Sequence, residues 1–232
     1  MFESKYSKLL TVLVVLVVLL IVGLLIFLGY SYYKNYSETK EASGFVESFK
    51  TDIGNEDLDS SFENNNNANE NENKNETLEG LESVKPGKTE NSDKPNKLEV
   101  YKGFGVLGTI EIPKIKLEYP ILEKVTKTSL ETSVAFQYGV GLNEVGNNVI
   151  IGHNYRNGAF FSNNHKLEVG DKIYVTNHDK KELKYEIYEM FYADPSDASF
   201  YQRDTNGIPE ITLSTCSDDS STRLIILAKA VD

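Results

Sequence analysis

From Leu9 to Gly29 the chain carries no charge, reading LLTVLVVLVVLLIVGLLIFLG. A helix of that length, at about 1.5 Å per residue, crosses the roughly 30 Å hydrocarbon core of a bilayer. A secretory leader would have a shorter apolar run ending at a small-residue cleavage site, and the following YSYYKNYSETK offers none. The pattern predicts a retained transmembrane helix over 9–29, with Tyr30, Tyr32 and Tyr33 as an interfacial aromatic belt. Lys5, Lys8 and the amino terminus precede it against Glu3 alone, whereas Lys34 and Lys40 are offset by Glu38 and Glu41. That bias places residues 1–8 in the cytoplasm and the remainder outside the cell, in a single-pass membrane protein.

Beyond the span the pattern changes twice. Residues 30–97 are mostly Asn, Glu, Asp, Ser and Lys, and so few apolar side chains cannot offset the entropy of ordering. This stretch is expected to be a disordered acidic, Asn-rich linker, with a reach of roughly 45 Å for about 65 flexible residues. From Leu98 short runs rich in β-branched and aromatic residues begin: GVLGTIEI, KLEYPIL, SVAFQYG, NNVIIGH, DKIYVTN, ELKYEIYEMFYA, PEITLSTC and TRLIILAKAV. Turn-forming stretches such as GLNEVGNN, NHDKKE and DTNG lie between them. Eight such strands predict an all-β barrel or sandwich over 98–232, with helical turns at TKTSLETS, AFFSNNHKL and SDASFY.

Charge and cysteine usage narrow the function. A net charge of −11 leaves nothing to neutralise phosphates, which argues against a nucleic-acid partner. The single cysteine, Cys216, rules out an internal disulfide, so the thiol is either buried filler or a reactive group. Without a C-x-x-C pair thioredoxin-like chemistry is disfavoured, and one cysteine with three scattered histidines lacks zinc-ligand spacing.

Alternation in PEITLSTC puts Ile211 and Leu213 on one face and Thr212, Ser214 and Cys216 on the other, so a core-facing apolar pair turns the thiol outward. The next strand follows after SDDSS, which predicts a hairpin with Arg223 beside Cys216. A guanidinium there could favour the thiolate and bind a carbonyl oxygen as it becomes negative. Cysteine nucleophiles also need a proton shuttle. His153 ends the apolar run NNVIIGH on the strand face of Val149 and Ile151, whereas His165 lies among polar residues and His178 in a turn. Asp218 and Asp219 would oppose the thiolate unless they point into solvent as turn formers, which would let them pair with Arg223 from outside.

TLSTC with a downstream arginine on the next strand, IIGHN about 60 residues upstream, and the opening IPKI resemble the sortases, membrane-anchored cysteine transpeptidases of Gram-positive bacteria. The resemblance runs from GFGVLG to the C-terminus. It implies an eight-stranded antiparallel β-barrel with Cys216 as nucleophile, His153 as acid/base and Arg223 as stabiliser of substrate and oxyanion. The implied substrate is a sorting-signal peptide like Leu-Pro-x-Thr-Gly, passed through a thioacyl intermediate to an amine of a peptidoglycan precursor or the cell wall. The short interval from His153 to Cys216 favours a compact class A or class D/E type.

The resemblance also places peptide contacts on elements flanking the cysteine strand; on this chain Ala193, Tyr201 and Ile208 are the candidates to line an apolar groove there, with Thr215, next to the cysteine, as a fourth substrate-binding candidate. Phe160 and Phe161 read as core. No cofactor is expected. A calcium site would have to draw on Glu111, Glu118, Glu144, Glu168 and Asp171, which read as solvated surface in so acidic a chain. Two other readings remain: a cysteine peptidase that hydrolyses similar signals without transfer, and a non-enzymatic tethered module.

Overall fold

The structure, a computed structural model, describes residues 5–51 and 98–232. Residues 1–4 of the expected cytoplasmic segment and 52–97 of the expected linker lie outside the described residues. Helix α1 (Lys5–Thr51) precedes nine strands: β1 (Val100–Tyr101), β2 (Phe104–Ile112), β3 (Leu117–Leu122), β4 (Val134–Tyr138), β5 (Gly146–Ile151), β6 (Lys172–Asn177), β7 (Glu182–Ala193), β8 (Pro209–Cys216) and β9 (Arg223–Val231). Helix α2 (Lys127–Thr132) lies between β3 and β4, its start fixed by reciprocal hydrogen bonds between Thr126 and Ser129. Of the other expected helical turns, 159–167 contains a 3-10 turn at Asn164–Lys166, and 196–201 forms isolated turns.

The strands follow the order β1-β2-β3-β4-β5-β8-β9-β7-β6, and β2 pairs again with β6. That second pairing closes β2–β9 into the expected eight-stranded barrel, with β1 a short addition to β2. Strand directions are mixed: β3–β4 and β5–β8 run parallel. A parallel neighbour requires a crossover, which α2 supplies for the first pair and the β6–β7 hairpin with its flanking segments for the second. Closure demands close backbone approach at the β2–β6 seam. A Cβ on Gly108 would stand 2.2 Å from the Thr176 carbonyl oxygen, so only glycine fits.

Inward side chains such as Ile110, Ile121, Ile150, Ile211, Leu213 and Ile226 are fully buried and form one core. Tyr185 is sealed in it, and its hydroxyl donates to Asn143 Oδ1 at 2.9 Å. Asn143 in turn donates to the carbonyls of Val175 and Lys181, so the polar atoms of the Tyr185 and Asn143 side chains are satisfied.

The expected linker needs correction over residues 30–51, which continue the helix. Ala42, Val46 and Phe49 recur at helical spacing and are buried against the barrel, where they join the core or its edge. Phe45 packs on Tyr101 with ring centroids 5.0 Å apart. Ser43 donates to Glu118, and Lys50 pairs with Glu111 at 2.7 Å and Glu182 at 3.0 Å. Burial of this one face accounts for order in a segment whose overall composition is polar. The apolar window of α1 is exposed along its length, as a lipid-facing helix would be.

Candidate active site

The β8–β9 ladder sets Cys216 directly opposite Arg223. Arg223 Nη1 donates to Cys216 Sγ at 3.3 Å, and the cysteine is half-buried. Ile211 and Leu213 face the core as alternation predicts. The opposite face is covered as well: Thr212 and Ser214 are buried, and only at the strand's end does the thiol emerge.

His153 reaches the same place by a different route. The parallel β5–β8 ladder pairs Ile151 with Ser214, and the Gly152 amide continues it by donating to the Ser214 carbonyl at 3.2 Å. His153 and Cys216 each follow two residues after this last pair, and the Arg223 that bonds the sulfur is close enough for its charge to act on the imidazole. Neighbouring hydrogen bonds hold this register: Thr215 Oγ1 donates to the Gly152 carbonyl at 2.8 Å, and Asn154 Nδ2 to the Cys216 carbonyl at 3.0 Å. Gly152 is needed for close packing, since a Cβ there would lie 2.9 Å from both Phe161 and Val134 side-chain atoms.

The His153 ring stacks on Tyr155 at 4.8 Å. Burial is the main cause pushing its pKa below the usual 6.5; Glu131 opposes the shift and the Arg223 charge adds to it. Arg223 therefore acts on both the sulfur and the imidazole. The other two histidines lie elsewhere: His165 Nδ1 is 2.9 Å from the Ser162 carbonyl, and His178 pairs with its neighbour Asp179.

The aspartates after Cys216 are each held by neighbours other than Arg223. Asp218 accepts from Asn154 Nδ2 at 2.9 Å. Asp219 accepts from Ser217 Oγ and from the amide and hydroxyl of Ser221, which bring its carboxyl down to about 2. Among the described residues neither pairs with Arg223, so the guanidinium keeps its contact with sulfur.

Of the four expected peptide-contact residues, two come to the site. Ala193 is opposite Arg223 in the β7–β9 ladder, and it shares a small apolar cluster with Phe200, Ile225 and Tyr201. Burial raises the Tyr201 pKa, against which the Arg223 charge acts, as expected of neighbours. The other two do not. Thr215 is buried on the Ile211–Leu213 face with its hydroxyl committed to Gly152, so it holds the histidine segment and presents nothing outward. Ile208 precedes β8 at the end remote from Cys216, about 26 Å away at roughly 3.3 Å per residue. Phe160 and Phe161 are buried in the core. The carboxylates weighed for calcium are dispersed: Glu111 pairs with Lys50, and Glu168 and Asp171 with Lys114. Among the described residues no three His, Cys, Asp or Glu side chains are grouped to hold a metal.

Three features of the site went unread in the sequence. Asn154, adjacent to His153 in GHN, ties the histidine and cysteine segments together, and its position beside a candidate base was the available signal. Arg203 anchors the segment between β7 and β8 to the outer face of β8, through Glu210, Thr212 and the Phe200 carbonyl. Nothing in the sequence pattern marks that pairing. Finally, a cavity of about 90 Å³ is lined by Glu38 of α1, Tyr101, Tyr119, Glu131 and Phe160. The Phe160 ring packs on Tyr155 with centroids 5.7 Å apart, and Tyr155 stacks in turn on His153.

A family model described as Sortase domain matches residues 110–231, just over half of the chain. Sortase A of Bacillus anthracis is 31% identical over 129 residues, a match covering 54% of this chain and 60% of that protein. The chain thus spans less than two thirds of the length of this curated relative. Among solved structures, a Clostridium perfringens sortase D5 transpeptidase matches with TM-score 0.51 and 32% identity, covering 58% of this chain and 83% of its own. A Clostridium perfringens sortase C, solved with the C-terminal cell wall sorting motif, matches with TM-score 0.50 and 26% identity, covering 55% and 71%.

Proposed function

Because the chain belongs to the sortase family, we propose that it is a membrane-anchored cysteine transpeptidase that cleaves a sorting signal resembling Leu-Pro-x-Thr-Gly and joins the new acyl end to a cell-wall amine. The observation that carries this reading is the Arg223 hydrogen bond to Cys216 sulfur, with the same arginine acting on the His153 imidazole. A family relative solved with a sorting motif supports the substrate class.

In the proposed first step Cys216 sulfur, as thiolate, attacks the threonine carbonyl carbon, and Arg223 binds the oxygen as it gains negative charge. The carbon–nitrogen bond breaks as protonated His153 gives its proton to the leaving glycine amine. The thioester is then attacked by an incoming amine, which gives its proton to neutral His153. Collapse breaks the carbon–sulfur bond and restores the thiolate. Ala193 and Tyr201 line the peptide's path on the Arg223 side.

The test is product analysis with a sorting peptide and triglycine. Wild type should give the amide product, and Cys216→Ala neither cleavage nor transfer while keeping its fold. Transfer by Cys216→Ala would reject the assignment, and carboxylate product alone in the presence of amine would make the chain a hydrolase.

A further inference from the structure

The contacts between α1 and the barrel alter how this domain meets the membrane. Gly29 ends the uncharged span, and Ala42 is already buried against the barrel in the same unbroken helix. From Gly29 to Ala42 the helix rises only about 20 Å at roughly 1.5 Å per residue. The docking face comprises Ala42, Phe45, Val46 and Phe49, flanked by Glu41 with Lys102 at 3.0 Å and by Lys50 between Glu111 and Glu182. It is therefore an apolar stripe with a charged rim, the composition of a specific interface.

The positions of the two chain ends at the gap matter as much. Lys180 Nζ stands 3.3 Å above the Phe49 ring and also pairs with Glu99. The end of α1 and the start of the barrel domain thus meet on one patch, at Lys180. Because the described ends on either side of 52–97 stand together there, the length of chain between them does not set the separation between the bilayer and the domain.

We infer that the docked end of α1, and not the 52–97 segment, sets the height and orientation of the domain, holding its site close to the bilayer to act on substrates held there. This rests on the reading of α1 as a membrane anchor. It replaces a domain roaming some tens of ångströms from the surface with one carried on a short rigid post. Glu38, one turn before the docking stripe, also lines the cavity beside Tyr119, Glu131 and Phe160, so the post forms part of that cavity's wall.

Cutting the chain inside 52–97 separates the alternatives. The full-length protein, with a protease recognition sequence placed at 64–70, is reconstituted into phospholipid vesicles, cut to completion and sedimented. The barrel fragment should remain with the vesicles in wild type and be released when Phe45→Asp and Phe49→Asp are combined. Release from wild type would overturn the inference. So would retention of the double variant, because the fragment would then be adhering to lipid directly.

A second measurement does not depend on the variants folding. With Cys216→Ala removing the native thiol, Ser43→Cys and Glu118→Cys should form a disulfide under mild oxidant, leaving the two cut fragments joined on a non-reducing gel. Absence of that product overturns the docking. Failure of the uncut chain to sediment with vesicles overturns the membrane-anchor reading, and this inference with it, while leaving the transfer assay on the soluble product a separate matter.

Discussion

Arg203 donates to one carboxylate oxygen of Glu210 twice, from Nε at 2.9 Å and from Nη2 at 2.5 Å. The same oxygen accepts from Tyr188 at 2.9 Å, and Arg203 Nη1 reaches Thr212 Oγ1 at 2.8 Å. Thr212 donates onward to Asn147, whose amide holds the carbonyls of Phe200 and Tyr201. The network clasps the β7–β8 segment across β8 and thereby fixes Tyr201 near Arg223.

Breaking the clasp on one side should cost more than removing both charges. Arg203→Met strands a buried carboxylate and is expected to lower unfolding free energy by about 3–5 kcal/mol. Arg203→Met with Glu210→Gln should recover a good part of that loss in denaturant titration. In transfer assays the single variant should raise KM for the peptide more than it lowers kcat, since the wall moves and the sulfur does not.

Arg223 combines a bidentate fork with a charge, and the two can be separated. Arg223→Ala is expected to lower kcat by about 10²–10³-fold, the range for loss of one preorganised donor to a developing oxyanion. Arg223→Lys keeps the charge on a flexible stem and should restore little of it. Circular dichroism should be unchanged in both, because the side chain lies at the strand's edge. Near wild-type turnover in Arg223→Ala would remove the arginine from the mechanism.

The histidine gives a pH signature with a definite sign. Burial and Arg223 depress the His153 pKa, so its proton NMR titration should have a midpoint below 6.5. Glu131 acts in the opposite direction, so Glu131→Gln should lower the midpoint further and Arg223→Ala raise it. A depressed folded-state value means the unfolded chain binds more protons just below pH 6.5. Stability contributed by neutral His153 is therefore present above that pH and is lost as pH falls toward the folded value. His153→Gln should flatten that part of the stability curve.

The strands and the Cys216–Arg223 register were legible because their information is local. Alternation of β-branched residues fixes each strand face, and a short Ser/Asp loop leaves the β8–β9 hairpin little choice of register. His153 was legible as the end of an apolar run. The parallel β5–β8 pairing that carries it to the sulfur was not, since its partners are more than 60 residues apart and no turn encodes the match. Ala42, Phe45, Val46 and Phe49 stand at i, i+3, i+4 and i+7, a helical stripe that the surrounding Asn, Glu and Ser outweigh when composition is averaged. Thr215 was misplaced for a simpler reason: the alternation that turned Cys216 outward already turned Thr215 inward.

Gly152 links packing to chemistry in a way one methyl group can test. An alanine Cβ would stand 2.9 Å from Phe161 Cδ2 and from Val134 Cγ1, and both side chains are fully buried with no room to yield. Overpacking of this kind costs about 1–3 kcal/mol. The strain falls on a segment whose neighbouring residue, His153, also accepts from the Phe161 amide at 3.1 Å, so relief by backbone shift carries the imidazole away from Cys216. Gly152→Ala should therefore lose turnover out of proportion to its loss of stability. Adding Val134→Ala, which removes one of the two clashing atoms, should restore part of both, and the coupling can be read from a double-mutant cycle in kcat and unfolding free energy. Loss of stability with turnover intact would show that the glycine serves the core alone.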